Sequence, residues 1–145
     1  MRSQAVIFSI GDEEYALPIE DVREITSMDA TDIHTIPQAP EYIKGLITIR
    51  GEAIPLIDMH LRFGSKAEGK NNYAIVAGIN GTTVSLAVDE VKEVRFLENL
   101  SPPPPLITAP FIGGIENLPD RIIILLNSER LLGEQELSNI NSLLN

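Results

Sequence analysis

GDEEYALPIEDVREI, residues 11–25, lies over NGTTVSLAVDEVKEV, residues 80–94, so that Leu17 meets Leu86, Val22 meets Val91, Glu24 meets Glu93 and Ile25 meets Val94. The offset is 69 residues (93 − 24), and it holds without a gap from residue 11 to residue 64. YIKG at 42–45 falls on FIGG at 111–114, EAIPLID at 52–58 on RIIILLN at 121–127, and Gly64 on Gly133. A fixed offset with matched apolar positions marks an internal repeat. The chain therefore reads as two copies of one small unit, 1–68 and 69–145, with strands free to exchange between the halves. Units of this size have marginal cores, so the two are expected to pack together and share apolar surface.

The unit is built of strands. AVIFSI (5–10), YALPI (15–19), GLITI (45–49), EAIPLI (52–57), YAIVAGI (73–79), TTVSLAV (82–88), EVRFL (93–97) and RIIILL (121–126) are short apolar or alternating runs bounded by turn residues. Gly11 to Glu14, Asn80 to Thr83 and Arg50-Gly51 read as hairpin turns. SPPPPL, residues 101–106, lacks the N–H groups a sheet interior needs and reads as an extended connection, or less simply as a proline-rich ligand. The tail carries Leu131, Leu132, Leu137, Ile140, Leu143 and Leu144 among polar residues, with Ser128 as a cap and Gly133 as a break. This pattern predicts a helical turn followed by a short C-terminal amphipathic helix with its apolar stripe on the core. The fold class is mainly β: two small β-barrels packed together, with a groove between them.

Composition narrows the function. The chain has 145 residues, no cysteine and a net charge of −10. Disulfides, thiolate metal sites and a cysteine nucleophile are excluded. Eleven scattered basic residues form no phosphate-binding patch, so no nucleic acid is expected. Arg2 followed by the six-residue run AVIFSI is too short for a signal-peptide core or a membrane span, so the default is a soluble cytoplasmic protein without direct membrane insertion.

No nucleophile elbow, phosphate-cradling glycine loop or H-E-x-x-H motif occurs. His34 and His60 lack the spacing of a ligand set, and both read as surface histidines. No cofactor, metal or catalytic residue is expected. Two classes stay open: a protein-binding adaptor, and a β-barrel that takes a small molecule in its groove. Charges spread singly, with apolar residues at turns and strand edges, favour the adaptor.

Arg50 breaks the repeat, since it falls opposite Pro119 while Glu24 finds Glu93. A charge at a hairpin tip is ordinarily just solvated. The sharper possibility pairs Arg50 with a carboxylate of VREI and makes the tip a docking feature.

VREI (22–25), IPQAPEYIKGLITIRGEAIPLIDMHLRFG (36–64), LAVDEVKEV (86–94) and RIIILLNSERLL (121–132) resemble the CheW-type coupling proteins of bacterial chemotaxis, over nearly the whole chain and in order. The resemblance implies two five-stranded SH3-like barrels around a third apolar core. It implies a non-enzymatic adaptor of a two-component system, recruited to membrane-bound receptor arrays. There it would couple the cytoplasmic tip of a chemoreceptor (a methyl-accepting chemotaxis protein) to the regulatory domain of the histidine kinase CheA, itself a homologue. The catalytic and phosphotransfer domains of CheA and the receiver of CheV-type fusions have no match in the chain.

The resemblance maps an interacting glutamate and arginine onto Glu24 and Arg50, with Gly51 forming the turn. Val22, Tyr73 and Ala74 are expected on the wall of a groove that receives the receptor helix, and exposed apolar residues near both barrel ends are expected to dock the kinase. An asparagine at 127, where many relatives have aspartate, is a small departure.

Overall fold

The structure is a computed structural model that describes residues 3–64, 70–107 and 109–144. The expected boundary between the halves, at 68/69, lies outside the described residues, as does Arg2.

Among the described residues, eleven strands form two sheets. The strands are β1 (Ser3–Ile10), β2 (Glu13–Pro18), β3 (Val22–Ser27), β4 (Ile43–Ile49), β5 (Glu52–Asp58), β6 (Tyr73–Ile79), β7 (Thr82–Val88), β8 (Glu90–Leu97), β9 (Leu100–Ser101), β10 (Ile112–Asn117) and β11 (Ile122–Leu126). The five-stranded sheet runs β3-β6-β7-β5-β4, and the six-stranded sheet runs β8-β1-β2-β11-β10-β9. Adding 69 to any strand of the first copy gives its partner in the second, and this exchange converts one sheet order into the other, apart from the added β9. Each sheet therefore takes a hairpin from one copy and its remaining strands from the other. Four contacts join the copies: the parallel pairs β5 with β7 and β2 with β11, and the antiparallel pairs β3 with β6 and β1 with β8.

Even the irregularities repeat. Register shifts at Ile43/Gly45 and Ile112/Gly114 lie 69 residues apart, as do the bulges that leave Arg23 and Lys92 unmatched in their strand pairs. Such bulges bend strands and re-aim side chains. Gly45 has φ +153, and a Cβ there would stand 2.3 Å from the His34 carbonyl oxygen.

Burial divides into three cores. Ile47, Ile54, Leu56, Ala74, Val76 and Ala87 fill the five-stranded barrel. Ala5, Ile7, Ala16, Leu97 and Ile123 fill the six-stranded one. The largest core lies between them and takes Phe8, Leu17, Ile57, Ile75, Leu86 and Leu126 from both sheets. Strands such as β7 are buried on both faces, which is why TTVSLAV reads as a nearly continuous apolar run.

Among the described residues two α-helices accompany the sheets: α1 (Met59–Arg62) and α2 (Glu134–Leu144). Leu131, Leu132, Leu137 and Ile140 join the central core as expected, whereas the side chains of Leu143 and Leu144 lie outside the described residues.

Two expectations need correction. Ser128 caps nothing, because it lies inside the turn Ser128–Arg130 and its hydroxyl donates to Asp21. His60 is buried rather than exposed, since α1 turns it inward against Asp89.

Candidate partner-docking surface

Arg50 and Gly51 are the two loop residues between the paired ends Ile49 and Glu52. Their φ values, +51 and +82, are both positive, as a type I′ hairpin requires. Glycine takes that conformation freely, whereas arginine does so at a cost of about 1–2 kcal/mol. The tip directs the guanidinium back across the barrel mouth, where Nε donates to Glu24 Oε2 and Nη2 makes an ion pair with the same oxygen, each at 3.2 Å. Both nitrogens converge on one oxygen, so this is not a fork on two oxygens.

Glu24 is aimed there by the bulge before it. Arg23, the extra residue, crosses Gly78, where a Cβ would meet its Nη2 at 2.9 Å, and donates to the Thr83 hydroxyl. β3 and the β4 hairpin are the two edges of the five-stranded sheet, so the Arg50–Glu24 pair closes the barrel mouth. Below it lies a pocket of about 190 Å³ floored by Ile49, Ile54 and Val76. Small-molecule sites run about 300–1,000 Å³, and this mouth falls short of them.

The second copy has a closure of its own. Glu93, the counterpart of Glu24, meets Arg121 at 3.1 Å and Arg95 at 3.5 Å, and Arg121 also stands 3.6 Å from Glu14. The expectation that the arginine belongs to one half only is thus corrected. A glutamate–arginine pair occurs in both, but Arg121 lies two residues beyond the aligned position and is reached by a different route. A fixed-offset comparison misses it.

Val22, Tyr73 and Ala74 do not form one wall. Val22 and Tyr73 are half-buried and pack against the central core, on paired strands where Val22 faces Ala77 and Tyr73 faces Ser27. Ala74 is fully buried inside the five-stranded barrel, so it offers a partner no surface, and its place in the groove is corrected. Strand alternation sends Ala74 to the opposite face from Tyr73.

Exposed apolar side chains are unequally shared. Val94 and Phe96 on β8, Leu100 on β9 and Ile122 on β11 all belong to the six-stranded sheet, and Leu106 and Ile107 lie in its β9–β10 connection. Ile25, Ile33 and Leu61 are exposed around the five-stranded barrel, and Ile19 in the turn that leads from β2 to β3. Alternation in EVRFL puts Val94 and Phe96 on one face of β8 but gives no sign that this face is the exposed one.

A separate buried knot ties the barrels together. His60 Nε2 stands 3.0 Å from both Asp89 oxygens, while the N–H groups of Gly11 and Asn71 donate to the same carboxylate at 2.7 and 3.0 Å. Burial pushes the Asp89 carboxyl pKa up, but these donors together outweigh it and hold the pKa below the ordinary value. Asp58 caps α1 by accepting from Leu61 N–H at 3.2 Å. No group of three potential metal ligands comes together among the described residues, and no described helix is long and apolar enough to cross a membrane.

Residues 4–136 match the family model described as a CheW-like domain. The chain is 30% identical over 144 residues to the chemotaxis protein CheW of Klebsiella aerogenes, a match covering 94% of this chain and 86% of that one. It is 28% identical over 151 residues to the chemotaxis protein CheW of Treponema pallidum, covering 97% and 88%. Among solved structures it superposes on the scaffolding protein TtCheW from Thermoanaerobacter tengcongensis with a TM-score of 0.82 and 37% identity, over 91% of this chain and 93% of that one.

Proposed function

The chain belongs to the CheW-like family, and on that premise we propose that it is a non-enzymatic chemotaxis adaptor that holds a chemoreceptor tip and the regulatory domain of the kinase CheA on one body. Its product is geometry: a change in the bound receptor alters how the bound kinase is held. It would work in the cytoplasm, at membrane-bound receptor arrays, without entering the bilayer.

The observation that carries this reading is the separation of two unlike surfaces on barrels that share a central core. The five-stranded barrel presents a charged mouth made by Arg23, Glu24, Arg50 and Glu52. The six-stranded barrel presents Val94, Phe96, Leu100 and Ile122. A protein with one ligand needs one site, whereas a coupler needs two that differ. Val22 and Tyr73 flank the central core, where a receptor helix could lay its apolar face.

Co-sedimentation with receptor-tip fragments and with the kinase regulatory domain, separately and together, tests the proposal. A ternary complex, with each partner also binding alone, is the expected result. Binding of neither partner, or mutually exclusive binding, would overturn it.

A further inference from the structure

Leu106 is 95% exposed, well beyond the next large apolar residue, Ile122 at 52%. A solitary exposed leucine is ordinary on a protein surface. What sets this one apart is its mounting. Pro102 to Pro105 precede it, each with its φ fixed by a ring. The Ile107 N–H donates to the Pro104 carbonyl at 2.9 Å and closes a turn with Leu106 at its crest. Upstream, β9 is paired to β10 through Ser101 with Ile115 and Leu100 with Glu116, so the base of the loop is anchored to the sheet. Pro102 to Ile107 contains no charged residue, in a chain that is 22% charged.

We infer that Pro102–Ile107 is a preorganised docking finger, and that its Leu106 side chain enters an apolar socket on a folded partner domain, the kinase regulatory domain. The choice of partner rests on the function proposed above, and the following features support it. Residues 102–105 have no N–H to donate, so the segment cannot recruit an extended peptide as a further strand. Recognition must come from ring faces, carbonyl acceptors and the inserted leucine, which calls for a concave surface with apolar or aromatic walls.

A helical receptor tip offers ridges and shallow grooves, whereas a globular domain offers a socket. The finger also extends from the six-stranded sheet, whose β8, β9 and β11 carry the exposed Val94, Phe96, Leu100 and Ile122, so it belongs to the barrel with the more apolar exterior. A lipid surface is disfavoured because one leucine contributes only about 1.5–3 kcal/mol on burial and the chain carries a net charge of −10. The same charge opposes a second copy. Because the prolines order the loop before contact, little conformational freedom is lost on binding.

The test uses the full chain as wild type, Leu106→Ser and the double variant Pro104→Gly with Pro105→Gly. Each is titrated by calorimetry against the isolated kinase regulatory domain and, separately, a receptor-tip fragment. Leu106→Ser is expected to weaken kinase-domain binding about tenfold or more, as loss of an anchor side chain does, and to leave receptor-fragment binding unchanged. The glycine variant should weaken kinase-domain binding less, with a larger entropic penalty. Thermal midpoints should not move for Leu106→Ser, because the side chain buries nothing.

Full-strength kinase-domain binding by Leu106→Ser would overturn the finger while leaving the adaptor function intact. Loss of receptor binding instead, or a variant changed only in self-association or vesicle binding, would overturn the choice of partner. Failure of the wild type to bind the kinase domain would overturn the kinase-coupling function and the finger's assignment with it.

Discussion

Arg50 and Glu24 join the two edges of the five-stranded sheet through a single carboxylate oxygen, Oε2, which takes both Nε and Nη2 at 3.2 Å. The arginine side chain is 83% exposed and the glutamate 27%, so solvent screens the pair and its contribution to stability is about 0–1 kcal/mol. Arg50→Ala should therefore leave the thermal midpoint within a degree or two of wild type (about 0.5 kcal/mol). Glu24→Ala should behave the same way. Both variants should weaken receptor control of the kinase in a reconstituted assay. Arg50→Lys should restore it only in part, because a compact ammonium on a flexible stem lacks the planar guanidinium that sets Nε and Nη2 side by side on one oxygen. A variant of normal stability with full control of the kinase would reduce the pair to a turn contact.

Asp89 makes acid stability a test of the inter-barrel knot. Its carboxyl pKa is held below the ordinary value by N–H donors, so its contribution is fully present above the unfolded value of about 3.9 and is lost as pH falls through the lower folded value. Asp89→Asn should unfold more easily at neutral pH by about 1–3 kcal/mol, because His60 and two backbone N–H groups lose a charged acceptor. It should also show a flatter loss of stability below pH 4. Chemical denaturation across pH 2 to 7 measures both, and parallel curves for the two proteins would contradict the assignment.

Much of this was legible in the sequence, because the repeat preserves both strand pattern and irregularity. Leu17 and Leu86, 69 residues apart, are both buried in the central core, and the Gly45 and Gly114 bulges were already aligned. The exchange of strands, which the repeat leaves open, could not be decided from the sequence, since a hairpin has the same local pattern whether it pairs within its own copy or with the other. His60 was read as exposed because a histidine after a strand end carries no local sign of burial; only Asp89, 29 residues away, explains it. Ala74 was misplaced for a related reason. In a strand buried on both faces, YAIVAGI has no polar alternation to show which side chains face the barrel interior.

Gly45 tests the bulge directly. A Cβ at this position would stand 2.3 Å from the His34 carbonyl oxygen and 2.9 Å from its carbon, and backbone cannot swing aside as a side chain can. The positive φ adds a penalty of its own. Gly45→Ala should cost about 3 kcal/mol or more and break the bridge between His34 and Leu46. Gly51→Ala meets nothing within 4 Å and should cost only about 1 kcal/mol, from backbone strain alone. Equal midpoints for the two variants in urea would contradict the clash.

Arg62 holds the C-terminal helix to the barrels. Its Nη2 donates to the Leu131 carbonyl at 2.9 Å and to Glu136 Oε1 at 3.0 Å, and its guanidinium lies 5.8 Å from the centre of the Phe111 ring. Glu136 in turn accepts from Gly133 N–H at 3.0 Å, which caps the start of α2. Arg62→Met keeps the aliphatic stem but loses these donors, so it should cost about 1–3 kcal/mol. Hydrogen exchange should quicken in α2 and the turn Ser128–Arg130 while the β6–β7 pair stays protected. Uniform quickening throughout the chain would instead make Arg62 part of the global fold.

The receptor face is tested at Val22 and Tyr73, with Ala74 as the control. Antiparallel pairing sets Tyr73 level with Ser27 and Val22 level with Ala77, so the two lie four to five residues apart along the strands, about 15 Å. A helix covers that distance in roughly ten residues, so one receptor helix laid along the seam can touch both. Val22→Ala and Tyr73→Ala should each weaken binding of a receptor-tip fragment several-fold, with modest losses of stability because both side chains are only partly buried. Ala74→Val should do the reverse: overpacking the interior of the five-stranded barrel should cost about 1–3 kcal/mol, while the fraction that remains folded binds the fragment normally. Chemical-shift mapping with the fragment decides between these outcomes. Shifts that avoid the amides of both Val22 and Tyr73 would move the receptor site away from the β3–β6 seam.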